Sequence, residues 1–140
     1  MELKDSVHKE IVHLCEIGDN YAAKGQFSKA IGAYEEALER LPLPHSDWEA
    51  GQWIFAAIGD AYFHLLQFDE SMRWFFLAHN CLDGHLNAFI VLRIGQCFFE
   101  FQDHEKAKEF LMRAFLLNGV ELFQEDDEKY WSSIKDMIEL

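Results

Sequence analysis

Residues 55–62 read Phe-Ala-Ala-Ile-Gly-Asp-Ala-Tyr, and the same frame occurs twice more in the chain. Residues 14–21 are Leu-Cys-Glu-Ile-Gly-Asp-Asn-Tyr, and residues 91–98 are Val-Leu-Arg-Ile-Gly-Gln-Cys-Phe. Around Gly18, Gly59 and Gly95 the large apolar residue, the isoleucine and the aromatic ring hold fixed places. The register continues downstream. Twelve residues after each glycine stands Ala30, Ser71 or Ala107; sixteen after, Tyr34, Phe75 or Leu111; nineteen after, Ala37, Ala78 or Ala114. Apolar residues three and four apart form one face of a helix. Glycine and alanine at fixed columns mark where two such helices approach closely. A unit this short cannot bury its apolar face alone, so copies must stack on one another.

The copies are unevenly spaced. Gly18 and Gly59 are 41 residues apart, Gly59 and Gly95 only 36. The extra length falls at Leu41-Pro42-Leu43-Pro44-His45-Ser46, which holds both prolines of the chain. Everywhere else the chain is free of the residue that breaks helices. The pattern predicts helices over 5–24, 28–40, 47–66, 70–81, 86–101, 104–117 and 125–138. Gly25 and Gly84 stand where a left-handed residue would close a helix. Ser46 with Glu49 has capping-box spacing, and Asp69 and Asp103 stand at expected N-caps. In the last segment Tyr130, Trp131, Ile134, Met137 and Ile138 make an apolar stripe suited to covering the open end of a stack.

These columns resemble the tetratricopeptide repeat, in which a helix, a tight turn and an antiparallel helix recur about every 34 residues. The resemblance spans about residues 11–121. It implies an all-α, helix-turn-helix solenoid in a single domain over residues 1–140. The repeats fall at about 11–44, 52–85 and 88–121, with a C-terminal capping helix at about 125–138. It also implies a concave face, lined by the first helix of each repeat, on which proteins or peptides bind.

Composition narrows the partner. Half of the 140 residues are hydrophobic and 15% are aromatic, which excludes a disordered chain. Twelve Lys and Arg face 25 Asp and Glu, for a formal net charge of −13. Nucleic-acid affinity comes from neutralising phosphates, so no nucleic-acid partner is expected. An anionic membrane surface is disfavoured for the same reason. The charge suits a solvated surface or a basic protein partner. Cys15, Cys81 and Cys97 are odd in number and have no CxxC spacing. They read as reduced, apolar-packed thiols rather than as a disulfide framework or zinc site. The charged start, Met1 to Lys9, does not read as a signal peptide, and a cytoplasmic location is expected.

Counting at 100° per residue, a second face of each first helix carries the positions −6, −3, +1, +4 and +5 from the glycine. On it lie Asp19 from the first copy, Trp53, Asp60, Phe63 and His64 from the second, and Phe89, Leu92, Gln96, Phe99 and Glu100 from the third. Helices apolar on both faces must be covered on both. Either the aromatics pack between repeats and under the C-terminal helix, or some stay open as a groove rimmed by Asp19, Asp60 and Glu100. Aromatic anchors ringed by polar groups have the character of interface hot spots, and Trp53 is the first candidate. Some repeats of this family clamp a peptide's terminal carboxylate with Asn and Lys. Here Asp19, Asp60 and Gln96 stand in those places, and two carboxylates would repel it.

No catalytic constellation emerges. Seven histidines are scattered without HExxH or a Cys/Asp ligand spacing, and no GxSxG or phosphate-cradling glycine loop is present. Asp60 and His64, four apart, read as a hydrogen-bonded pair. The expectation is a non-enzyme with no metal and no cofactor.

Three stretches are similar to a narrower group. They are residues 48–63 (WEAGQWIFAAIGDAYF), 89–100 (FIVLRIGQCFFE) and 119–130 (GVELFQEDDEKY). That group comprises short, acidic bacterial repeat proteins found beside secreted polymorphic toxins. The resemblance implies an immunity protein that binds and neutralises a cognate toxin domain, probed first as a basic one. The other expectation carried forward is a general repeat scaffold or co-chaperone that binds a peptide segment.

Overall fold

A computed structural model describes residues 3–138, and among these every regular element is helical. The α-helices are α1 (Asp5–Ala23), α2 (Phe27–Arg40), α3 (Glu49–His64), α4 (Phe68–His79), α5 (Ala88–Glu100), α6 (His104–Asn118) and α7 (Glu128–Ser132). They pack as three hairpins, α1 with α2, α3 with α4 and α5 with α6, and the hairpins stack through α2 on α3 and α4 on α5.

The repeat columns explain the hairpins physically. A Cβ placed on Gly59 would lie 2.8 Å from the ring of Phe75, and one on Gly95 would lie 2.9 Å from Leu111. The equivalent Cβ on Gly18 would run into the Tyr34 ring. Phe75 and Leu111 are fully buried and Tyr34 nearly so. Each such side chain contributes about 1.5–3 kcal/mol on burial. Ser71, standing in an alanine column, is also fully buried. Its hydroxyl donates to the Gly59 carbonyl at 2.8 Å, so the polar atom is satisfied where alanine would have none.

All three hairpin turns need a residue with positive φ: Gly25 (75°), Leu66 (62°) and Gln102 (64°). Only the first is glycine, so only the first was visible as a turn signal. Several expected caps differ. The left-handed residue after α4 is Asp83, with φ 60°, rather than Gly84. Gly84 is needed because a Cβ there would strike the carbonyls of Ala78 and His79. Ser46 lies inside a short 3-10 turn, and α3 starts from Trp48 without a side-chain cap. Asp69 lies inside the first turn of α4, whose N-cap is Gln67. Asp103 does cap α6, accepting from the Lys106 amide, and Asn87 caps α5 through the Ile90 amide.

The proline segment is tied down by the Trp48 indole, which donates to the Pro42 carbonyl at 2.9 Å. The C-terminal segment is not one helix over 125–138. It runs as a 3-10 turn (Val120–Phe123), the five-residue α7, and a second 3-10 turn (Lys135–Met137). Phe123, Tyr130 and Ile134 are buried against Val91, Leu92 and Leu111, so the segment covers the third hairpin as an irregular strap. The helical stripe was real, but tertiary contacts set its path. Three side chains seeking separate places on α5 and α6 bend the backbone away from a straight helix.

Candidate partner-binding groove

Helix α3 places Ala56 and Asp60 beside Asp19, Ala22 and Ala23 of α1, with Trp53 one turn before Ala56 and Phe63 one turn after Asp60. Between α1 and α3 lies an open groove of about 370 Å³, floored by alanines and closed at one end by Phe89 of α5. Asp19 is exposed and accepts a 2.7 Å hydrogen bond from the Tyr34 hydroxyl. Burial, and then this hydrogen bond, push the Tyr34 phenol above its ordinary range, so it keeps its proton into alkaline solution. Trp53 is 47% exposed and Phe89 is 37% exposed, large values for aromatic rings in a folded chain.

Arg93 organises the Phe89 end of the groove. Its side chain is only 8% exposed. The guanidinium donates from Nε to Asp60 at 3.0 Å, and from Nη1 to Gln96 at 2.7 Å and to Asp126 at 3.1 Å. The Gln96 amide donates to the second oxygen of Asp126 at 3.0 Å. The guanidinium also lies 4.3 Å from the centre of the Phe63 ring and 4.9 Å from that of Phe89, within range of cation–π attraction. A buried arginine is tolerable only with such a set of partners. Asp126 comes from the strap, so the network pins the strap to the concave face.

The sequence-derived residues therefore divide. Asp19, Trp53, Asp60, His64 and Phe89 keep surface in or beside the groove. His64 stacks on Phe27 at 4.8 Å between ring centres and lies 3.5 Å from Asp60. Phe63 is half-buried beneath Arg93. Leu92 and Gln96 are fully enclosed and have no surface to offer a partner. Phe99 meets Tyr130 edge-on at 5.4 Å, and Glu100 accepts from the Tyr130 hydroxyl at 2.6 Å and pairs with Lys129. These four residues of the third repeat face the strap, because its buried anchors take the concave side of α5. Glu100 consequently belongs to the strap contact and not to the rim.

Arg93 and Asp126 were missed as partners. Arg93 stands two residues before Gly95, outside both faces counted for that helix. A signal was present: one arginine amid FIVLRIGQCFF must find buried acceptors, because an unpaired charge there is too costly. Asp126 stands in the acidic run Glu125-Asp126-Asp127-Glu128, any of which could favour the start of a helix. Asp127 has that role, its carboxylate accepting from the Lys129 amide.

Stacked antiparallel hairpins with small-residue contact columns and a lined inner face define a tetratricopeptide-repeat solenoid. Residues 14–40 and 90–120 match the family model for the tetratricopeptide repeat. The chain has the fold of a tetratricopeptide-repeat solenoid. Solved structures agree. The first such domain of Spaghetti (RPAP3), bound to the HSP90 peptide SRMEEVD, superposes with a TM-score of 0.72 at 21% identity, covering 92% of this chain and 94% of that one. The Yersinia enterocolitica secretion chaperone SycD, with a peptide of the translocator YopD, gives 0.70 at 16% identity, covering 96% and 94%. At these identities the likeness is one of fold. Among curated proteins, the Homo sapiens protein O-mannosyl-transferase TMTC2 is 28% identical over 91 residues, 63% of this chain and 10% of its own length. The Schizosaccharomyces pombe TPR repeat protein oca3 is 31% identical over 77 residues, 55% of this chain and 25% of its own. The matched regions are thus small parts of those relatives. Among the described residues no helix is long and apolar enough to cross a membrane, and no group of three or more potential metal ligands occurs.

Proposed function

We propose that this protein is a non-catalytic binding module that holds a protein partner in the concave groove of its first two repeats. In the finer reading it is an immunity protein whose partner is a basic toxin domain. The observation that carries the proposal is the asymmetry of the concave face. Over α5 the strap seals it, whereas over α1 and α3 an alanine-floored groove stays open beside Asp19 and Asp60, with the half-exposed Trp53 one turn away along α3. The net charge of −13 supports a basic partner, which it would steer into rapid encounter. Three resemblances between residues 48 and 130 support the immunity reading.

The structural relatives favour a second reading, a general peptide-binding scaffold. RPAP3 is bound to an HSP90 peptide and SycD to a peptide of YopD. An acidic peptide such as SRMEEVD would meet Asp19 in this groove, and the exposed face of Asp60 as well. The scaffold reading therefore calls for a different peptide here.

The test is capture from a lysate of the source organism, followed by expression of the captured partner in a neutral host, alone and with this protein. A single stoichiometric partner that halts growth alone and is tolerated together supports immunity. Several weak partners sharing a short segment, none of them toxic, would replace it with the scaffold reading.

A further inference from the structure

A second cavity, of about 330 Å³, lies at the start of α1 and α3, where Asp5, Asp47, Glu49 and the Trp48 and Trp53 rings line it. Trp53 belongs to this cavity and Ala56 to the alanine-floored groove. They are three residues apart on α3, a rise of about 4.5 Å. The two hollows thus lie along α3, one at its Glu49 end and the other at its Asp60 end. Between described residues, no ion pair engages Asp5, Asp47, Glu49 or Asp19. Asp60 pairs with Arg93 and lies 3.5 Å from His64. Negative charge thus gathers near both ends of α3, with Ala56 and Ala57 between them on the helix.

We infer that these two hollows act as one channel along α3 that reads a two-point basic motif: an extended partner segment with one cationic side chain at each end and an apolar residue between them. This rests on the reading of the groove as the partner site, and adds what that site selects. At one end a guanidinium or ammonium group would lie against the exposed face of Trp53, with Asp47 and Glu49 beside it. An aromatic face and carboxylates together are a fitting seat for such a group. At the other end a second cation would meet Asp19 and Asp60. Glu49 and Asp60 are eleven residues apart on one helix, a rise of about 16 Å. An extended chain covers that distance in about five residues, at ~3.3 Å each. Ala56 and Ala57, between the seats on α3, leave room for one bulky apolar side chain. Charge excludes the other occupants. A second copy of this chain also carries −13, and an acidic segment would face carboxylates at both ends. The chain's own strap is anchored elsewhere, through Phe123, Tyr130 and Ile134.

The experiment uses the full chain and fluorescein-labelled synthetic peptides, read by anisotropy at low and moderate salt. One peptide carries two arginines five residues apart around a central leucine. A second has the same composition with the arginines adjacent. A third carries glutamates in place of the arginines. The spaced peptide should bind at least tenfold more tightly than the adjacent one, and the glutamate peptide not at all. The double variant Asp47→Asn, Glu49→Gln and the single variant Asp19→Asn should each weaken the spaced peptide several-fold, with unchanged melting temperatures. Equal affinity for both spacings, or binding indifferent to these charge removals, overturns the inference. The failure of the underlying reading looks different. Partner capture insensitive to Trp53→Ala, with no peptide bound, would remove the groove itself. Capture lost on Trp53→Ala but indifferent to Asp47 and Glu49 would leave the groove and remove the two-point motif.

Discussion

Replacing Arg93 with methionine tests how the concave face is divided. Methionine keeps an apolar stem against Phe63 and Phe89 but deletes the guanidinium that joins Asp60, Gln96 and Asp126. Removing one member of a buried ionic cluster costs about 3–5 kcal/mol, because the remaining charges are left uncompensated. Here the side chains of Asp60 and Asp126 are 33% and 20% exposed, so water relaxes part of the penalty. The expected loss is about 2–3 kcal/mol, after discounting that range for exposure. In a chain of this size it lowers the melting temperature by roughly 10 °C. Asp126→Ala should cost less, about 1–2 kcal/mol, since Arg93 keeps Asp60. The two substitutions remove one shared contact, so the double variant should lose about 1–2 kcal/mol less than the sum of the singles. Thermal and urea melts of the four proteins measure this cycle. Additivity within about 0.5 kcal/mol would mean that Arg93 does not hold the strap, and that the sealing of the third repeat has another cause.

Other outcomes follow from single sites. Trp53→Ala should weaken partner binding by a factor of roughly 30 while leaving the melting temperature almost unchanged; a large thermal loss with unaltered affinity would make Trp53 a core residue. Asp19→Lys should slow association and flatten its salt dependence in stopped-flow kinetics, and identical rates across salt would remove the steering argument. Leu66 is exposed with φ 62°, so Leu66→Gly should stabilise by up to about 1 kcal/mol in thermal melts, and destabilisation would contradict the left-handed turn. The Tyr130 phenol is raised above its ordinary range, chiefly by burial and then by its hydrogen bond to Glu100. A group that holds its proton more tightly when folded contributes fully below its unfolded pKa, about 10. Stability should therefore decline above that pH, more steeply than in Tyr130→Phe, and parallel alkaline melting curves for the two proteins would refute the assignment.

The helical class and the repeat were legible because their cause is local and periodic. A helix pair needs a small residue wherever the two axes come closest, and that demand recurs in the columns of Gly18, Gly59 and Gly95 with their alanine counterparts. The first turn was legible in Gly25; the other two were hidden because Leu66 and Gln102 take the same left-handed conformation without glycine. Of the candidate site, the open half was legible from helical register, as with Trp53 and Asp60. The closed half was not, and Leu92, Gln96 and Glu100 were counted toward the wrong neighbour.

By itself, then, the amino-acid sequence determined an acidic, all-helical stack of three hairpins with a distinct inner face, since spacing along one helix decides which side chains share a side. Which part of that face stays open was decided only by tertiary structure. Arg93 meets Asp60 and Asp126, each 33 residues away, and the irregular strap follows the buried places of Phe123, Tyr130 and Ile134. Pairings across such distances depend on where whole elements come to rest. No periodicity encodes them.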